Sequence, residues 1–109
     1  MLRNGSGNIR IFYGNKDILG VYSENKKPLY LRHEKLYFGV VINECNRYSS
    51  LKVLYKTDAA LVNDDYEIVE ISKGMHPNTY IENEKATRAI LLPPNYFDIE
   101  VGKKFEIME

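Results

Sequence analysis

The sequence predicts an all-β domain, mainly antiparallel, built as a small barrel or sandwich of about eight short strands. Three observations carry this. Apolar residues come in short alternating or β-branched runs, the pattern of strands more than of long helices. Turn-forming residues break those runs at close spacing along the whole chain. Nine Tyr and four Phe with no Trp suit strand surfaces, where a ring buries its body and leaves a hydroxyl near water. A sheet this small hides its edges best by closing on itself.

Each element follows from local pattern. Ile9, Ile11 and Tyr13 alternate with Arg10 and Phe12, and Gly14, Asn15 and Lys16 turn the chain into Ile18–Tyr22, which makes a hairpin. Ser23–Pro28 is polar and reads as a loop before a strand at Leu29–Leu31. Leu36–Asn43 is rich in β-branched and aromatic residues and reads as a buried strand, apolar on both faces and central to the core. Asn43–Ser50 is turn-like, and Leu51–Tyr55, Ala59–Val62 and Tyr66–Ile71 follow as strands. Asn63, Asp64 and Asp65 form the hairpin turn between the last two, because such side chains bond their own backbone and tolerate the left-handed region. Glu67 and Glu70 are expected to reach water. After Ser72, Lys73 and Gly74 comes a loop through Met75, His76, Pro77 and Asn78.

Lys85–Leu92 fits either a strand or one to two helical turns. Pro93 and Pro94 end it abruptly and favour the strand, so the fold has room for one short helix at most. Ile99–Gly102 turns into a final half-buried strand in which Phe105 and Ile107 alternate with Lys104 and Glu106. Met1–Asn8, with Gly5, Ser6 and Gly7, is expected to be a flexible N-terminal segment, and residues 9–109 a single β-rich domain with no repeat or linker.

Composition narrows the function classes. Fifteen Lys and Arg balance fifteen Asp and Glu, so the surplus of basic charge that usually displaces counterions from a phosphate backbone is missing, and nucleic acid is not an expected partner. The longest apolar run, Leu36–Ile42 with Gly39 inside it, is far short of the roughly 20 residues that a helical membrane crossing needs. The first residues lack the apolar stretch of a signal peptide, which reads as cytoplasmic. With one cysteine, Cys45, no internal disulfide is available.

The order of pieces in the second half resembles a known family. Asp64 and Asp65, then Glu67-Ile68-Val69-Glu70-Ile71, Pro77-Asn78-Thr79-Tyr80, Ala86 to Pro94 and Ile99-Glu100-Val101-Gly102-Lys103 follow one another as do the motifs of the uncharacterised ACR family, called domain of unknown function 192. Upstream, Leu29-Tyr30-Leu31-Arg32 and Gly39-Val40-Val41-Ile42 are similar to two further segments of it. The family's aromatic-rich stretch would fall on Ser49–Ala59, where Lys52 matches and Asp58 lies close to the acidic position. The resemblance implies a compact β-rich domain, often exported in relatives, with no settled activity.

Candidate chemistry is sparse. His76, beside Pro77, is an imidazole in a rigid loop, suited to act as a base or a ligand. Neither His33 nor His76 has the short two-histidine spacing of zinc enzymes, and Asn63-Asp64-Asp65 lacks the spaced acids and central glycine of a calcium loop, so no metal or other cofactor is expected. Arg32, Arg47, Lys52 and Lys56, with Tyr30, Tyr48 and Tyr55, would form an anion-binding surface if their strands adjoin. The ligand-binding set is therefore Arg32, Lys52, Tyr55, Asp58, His76 and Tyr80. No glycine-rich phosphate loop or nucleophile elbow is present. The expected function is non-enzymatic binding of a small ligand or partner protein through a sheet face or loop rim. The alternative is a small hydrolase using His76 with Asp58 or Asp65. A homo-oligomer built by edge pairing at Ile9–Tyr13 is a third reading.

Overall fold

The computed structural model describes residues 8–23, 36–50, 55–76 and 78–109. Those residues contain nine strands and no helix: β1 Asn8–Tyr13, β2 Lys16–Ser23, β3 Gly39–Asn43, β4 Arg47–Ser49, β5 Thr57–Val62, β6 Ile68–Met75, β7 Tyr80–Glu82, β8 Arg88–Leu92 and β9 Glu106–Met108. Seven form one sheet in the order β6-β5-β8-β3-β2-β1-β9, and β4 pairs with β7 in a separate ribbon. The all-β, mainly antiparallel architecture matches the expectation. Among the described residues, no helix is long and apolar enough to cross a membrane.

The first hairpin forms as the sequence foretells. Gly14 and Asn15 are its two turn residues, with Tyr13 opposite Lys16. Gly14 has φ 62° and Asn15 is not in the positive region, the arrangement of a II′ turn, whose twist matches that of the strands it joins.

The sheet rolls without closing into a barrel. Its ends are β6 and β9, and among the described residues they meet at one corner. There Glu67 bridges Lys104, Ile68 N–H donates to Lys103 O (2.8 Å), Gly102 N–H to Ile68 O (2.9 Å) and Phe105 N–H to Tyr66 O (3.1 Å). β1 lies between β2 and β9, and β9 takes the edge of Arg10–Phe12 within the chain.

Burial on both sides of the central strands produces two cores. In β3, Val40 and Ile42 face one core and Val41 the other; β5 divides Ala59 and Leu61 from Ala60 and Val62, and β8 divides Ala89 and Leu91 from Ile90 and Leu92. This alternation is the period-two geometry of a strand, and it requires a cover on each face. The β4–β7 ribbon covers one through Tyr48 and Ile81. The rolled sheet covers the other, joined by Phe97, Ile99 and Phe105 from the segment between β8 and β9. Phe97 packs on Tyr13 with ring centroids 5.5 Å apart, and the Tyr96 hydroxyl donates to Asp17 O at 2.7 Å. The first-hairpin end of the roll is thereby plugged.

Several local readings shift. Ser72–Met75 continues β6, with Gly74 at φ 61° and a register shift opposite Thr57–Ala59. A bulge there absorbs the glycine and keeps the ladder going. Within the segment read as turn-like, β4 forms because Tyr48 buries itself against the core. Glu67 and Glu70 are half-buried, held by Asn63 (3.3 Å) and Asn83 (3.1 Å) respectively. Asn8 opens β1, while residues 1–7 and the expected strand at Leu29–Leu31 lie outside the described residues, as does most of Leu51–Tyr55.

One pairing was not foreseen. β2 and β3 run parallel, with Gly20 opposite Gly39. A Cβ on Gly20 would lie 2.9 Å from Gly39 O and 2.9 Å from Ile11 Cδ1. The two glycines let the strands approach and let Ile11, fully buried, lie across them. Gly20→Ala is expected to cost about 2 kcal/mol, as overpacking does in a filled core. Urea unfolding measures this, and a change below about 0.5 kcal/mol would mean that the strand pair has room to spare.

Candidate functional site

Four of the six residues singled out from sequence, Tyr55, Asp58, His76 and Tyr80, fall within the described residues. Arg32 and Lys52 lie outside the described residues. Tyr55 is half-buried and packs against the ribbon-side core. Asp58 is buried, 1% exposed, and its carboxylate accepts the Gly74 N–H at 2.7 Å and the Asn95 N–H at 2.9 Å. It ties β5 to the β6 bulge and to the turn after β8. Main-chain donors thus engage both oxygens of this buried carboxylate.

His76 is exposed. Its carbonyl accepts hydrogen bonds from Ser50 Oγ (2.8 Å) and Thr79 Oγ1 (2.7 Å), so the loop is held by main chain, and the imidazole has no partner among the described residues. Asp65 sits at the β5–β6 turn while His76 follows the far end of β6. An eight-residue strand separates them by roughly 25 Å at ~3.3 Å per residue. The acid–base pairs of the hydrolase reading are not formed. Tyr80 is 57% exposed and carries the Arg47 guanidinium over its ring at 4.4 Å, an internal contact that occupies one face of the ring.

A different set does converge. At the end of the roll opposite the Phe97 plug, an open groove of about 990 Å³ is lined from several strands. Tyr22 comes from the end of β2, Asn43 from the end of β3, Arg88 from the start of β8, and Asp64 and Tyr66 from the β5–β6 turn. Glu44 and Glu109 add carboxylates. Register explains the meeting: β8 sets Arg88 beside both Asn43 and Val62, one step beyond the apolar pair Val41 and Ile90.

Arg88 shares the strand side of Ile90 and Leu92 but stands where the core opens to solvent. Its Nε donates to Asn43 Oδ1 at 3.1 Å, its guanidinium lies over the Tyr66 ring at 4.8 Å, and Nη1 is 3.7 Å from Asp64 Oδ1. Nη1 is buried without a hydrogen-bond partner, as is Thr87 Oγ1 on the groove wall. Across the mouth, the Tyr22 hydroxyl donates to Glu109 Oε2 at 2.8 Å. Burial, followed by that carboxylate and the neighbouring Tyr66, raises the Tyr22 phenol well above its ordinary pKa. Tyr66 (φ 63°) and Glu44 (φ 52°) adopt the left-handed backbone region, unusual for bulky side chains. Among the described residues, no group of three or more His, Cys, Asp or Glu side chains is placed to hold a metal ion.

The fold defines a small all-β domain with relatives among solved structures. A protein of unknown function from Novosphingobium aromaticivorans is similar, with a TM-score of 0.71 at 14% identity over 97% of this chain and 91% of that one. A candidate transcription regulator from Sinorhizobium meliloti is similar with a TM-score of 0.71 at 12% identity, covering 91% of each chain. At these identities the likeness establishes the fold alone. No family model matches the chain, and no curated protein does.

Arg88 had one sequence signal: a charge in the same parity as Ile90 and Leu92, on an otherwise apolar strand. Tyr22, Glu44 and Glu109 had none, because only the roll brings them together.

Two outcomes follow. Asp58→Ala removes two buried charge-assisted bonds and is expected to cost about 3 kcal/mol, whereas His76→Ala keeps the bonding carbonyl and is expected to stay within about 0.5 kcal/mol of the parent. Chemical denaturation of both variants checks the contrast; equal losses would contradict it. The second concerns alkali. Burial, with Tyr55 and Cys45 beside it, also raises the Tyr48 phenol. A raised folded pKa gives stability that is complete below the unfolded value, near 10, and is lost as pH rises beyond it. Thermal melts are expected to show Tm steady up to about pH 9 and falling as pH rises past about 10, with a smaller fall when Tyr22 and Tyr48 are both Phe; an identical fall would contradict the assignment.

Proposed function

We propose that this chain is a non-enzymatic binding domain that holds a polar ligand, or a polar segment of a partner protein, in the groove at the mouth of its rolled sheet. The observation that carries this is the convergence of side chains from β2, β3, β8, the β5–β6 turn and Glu109 after β9 around one groove of about 990 Å³. Several are already fixed by contacts with one another, Tyr22 on Glu109 and Arg88 on Asn43, so binding orders little further, which favours affinity. Barrel-like mouths are common places for ligands. Catalysis needs acid, base or nucleophile groups within reach of one another; of the residues nominated for it, Asp65 lies at the other end of β6 from His76, and the Asp58 carboxylate is engaged by the Gly74 and Asn95 N–H groups. The motif order resembling domain of unknown function 192 brings no activity to this reading. A regulator's direct contact with DNA is disfavoured at this groove, whose described carboxylates would repel phosphate.

Amide ¹H–¹⁵N shifts test the proposal with a set of amine, carboxylic acid and sugar fragments. Perturbations are expected to gather at 43–46, 64–66, 87–88 and 109 for at least one chemical class. Shifts confined to the Arg47–Tyr80 face, or to no surface, would overturn it.

A further inference from the structure

We infer that the mouth groove takes a linear organic polycation: ammonium groups spaced along a flexible chain, as in a polyamine or a lysine-rich peptide. The inference rests on the binding role proposed above and names its ligand class.

Charge points this way. The described groove residues bring the carboxylates of Glu44, Asp64 and Glu109 against one guanidinium, Arg88. The chain as a whole is balanced at fifteen basic and fifteen acidic residues, so this surplus is local. Arg88 is also poorly placed to receive an anion. Its Nε is committed to Asn43, its plane is laid on Tyr66, and Nη1 has essentially no accessible surface. Asp64, by contrast, has a side chain 81% exposed. An anion approaching from solvent meets the carboxylates first and finds that edge of the guanidinium covered. A cation meets the reverse.

Spacing decides what kind of cation. The three carboxylates belong to no group that closes on a metal ion, since no such group of three occurs among the described residues. They line one groove without converging, and a groove of about 990 Å³ is far larger than a single ammonium. A ligand that satisfies them must carry separated positive charges. The Glu109 carboxylate is held in place by the Tyr22 hydroxyl at 2.8 Å. Tyr22 and Tyr66 add phenol rings, and Tyr66 already seats a cation from within the chain at 4.8 Å, showing the geometry that ring supports.

The test titrates the protein with spermidine, with trilysine, with n-butylamine as a singly charged control and with inorganic phosphate, following amide shifts. Spermidine or trilysine is expected to move the groove amides at 43–46, 64–66 and 87–88, at least about tenfold more tightly than n-butylamine. Raising the ionic strength from about 0.01 M to about 0.15 M, which shortens the Debye length from about 30 Å to about 8 Å, is expected to weaken binding several-fold. Glu44→Gln with Asp64→Asn is expected to weaken it about tenfold. That variant keeps the β5–β6 turn, which is held by the Asn63 side chain on the Asp65 and Glu67 amides; Glu44→Gln alone serves if amide dispersion shows otherwise. Binding by spermidine alone identifies a small polyamine, and by trilysine alone a peptide segment. Groove shifts with phosphate or with neutral fragments but not with the polycations would overturn the ligand class and leave the binding role standing. Polycation binding indifferent to salt and to the charge variants would also overturn it. An absence of groove shifts with every probe would overturn both.

Discussion

The structure depends on three strands that have no face for water. In β3, β5 and β8 the residues on both sides of the sheet are buried, from Val40 to Ile42, Ala59 to Val62 and Ala89 to Leu92. An antiparallel sheet can leave one side wet, but this one cannot, and everything peripheral follows from covering it twice. One cover is the β4–β7 ribbon, too short to stand alone and held by Tyr48 and Ile81. The other is the roll of the sheet onto itself, which carries β6 round to the segment before β9.

Rolling makes two ends with different chemistry. The end at the β1–β2 turn is filled by aromatic rings, with Tyr13, Phe97 and Phe105 in mutual contact, and it is tied down by Tyr96 and by Asp58. The opposite end runs out of apolar residues: after Val41 comes Asn43, and before Ile90 comes Arg88. The groove lies where the core stops and polar side chains take up the same register positions. Its character comes from strand ends more than from any loop, which is why the contacts within it are made between residues 45 and 87 positions apart in sequence.

Strand identity was largely legible because it is written locally. The Gly14–Asn15 turn, the Asn63–Asp65 turn and the uninterrupted apolar runs of β3, β5 and β8 each state their structure within a few residues. Less was legible where a tertiary contact decides the outcome. Tyr48 sits in a polar stretch and forms a strand only because a core awaits it. Gly74 looks like the end of a strand and is a bulge inside one. The parallel β2–β3 pairing has no local sign except two glycines whose meaning appears when they face each other. The site was the least legible part. Asp58 and His76 were singled out by residue type, yet the first serves main-chain donors and the second contributes its carbonyl to a turn. The groove is assembled by register, and register is not written in any single segment.

The position of β9 carries a consequence for biosynthesis. β1 is joined to β9 through Arg10–Phe12 and Glu106–Met108, so a strand made early in this sheet waits for one made some ninety residues later. Until then the nascent chain exposes an unpaired ribbon edge beside Ile9 and Ile11, and the Tyr22 hydroxyl lacks Glu109. Such distant pairing slows folding and lengthens the interval in which that edge can recruit another polypeptide. Within this sheet the mouth is therefore completed last, and a chain lacking β9 would present an adhesive margin in its place.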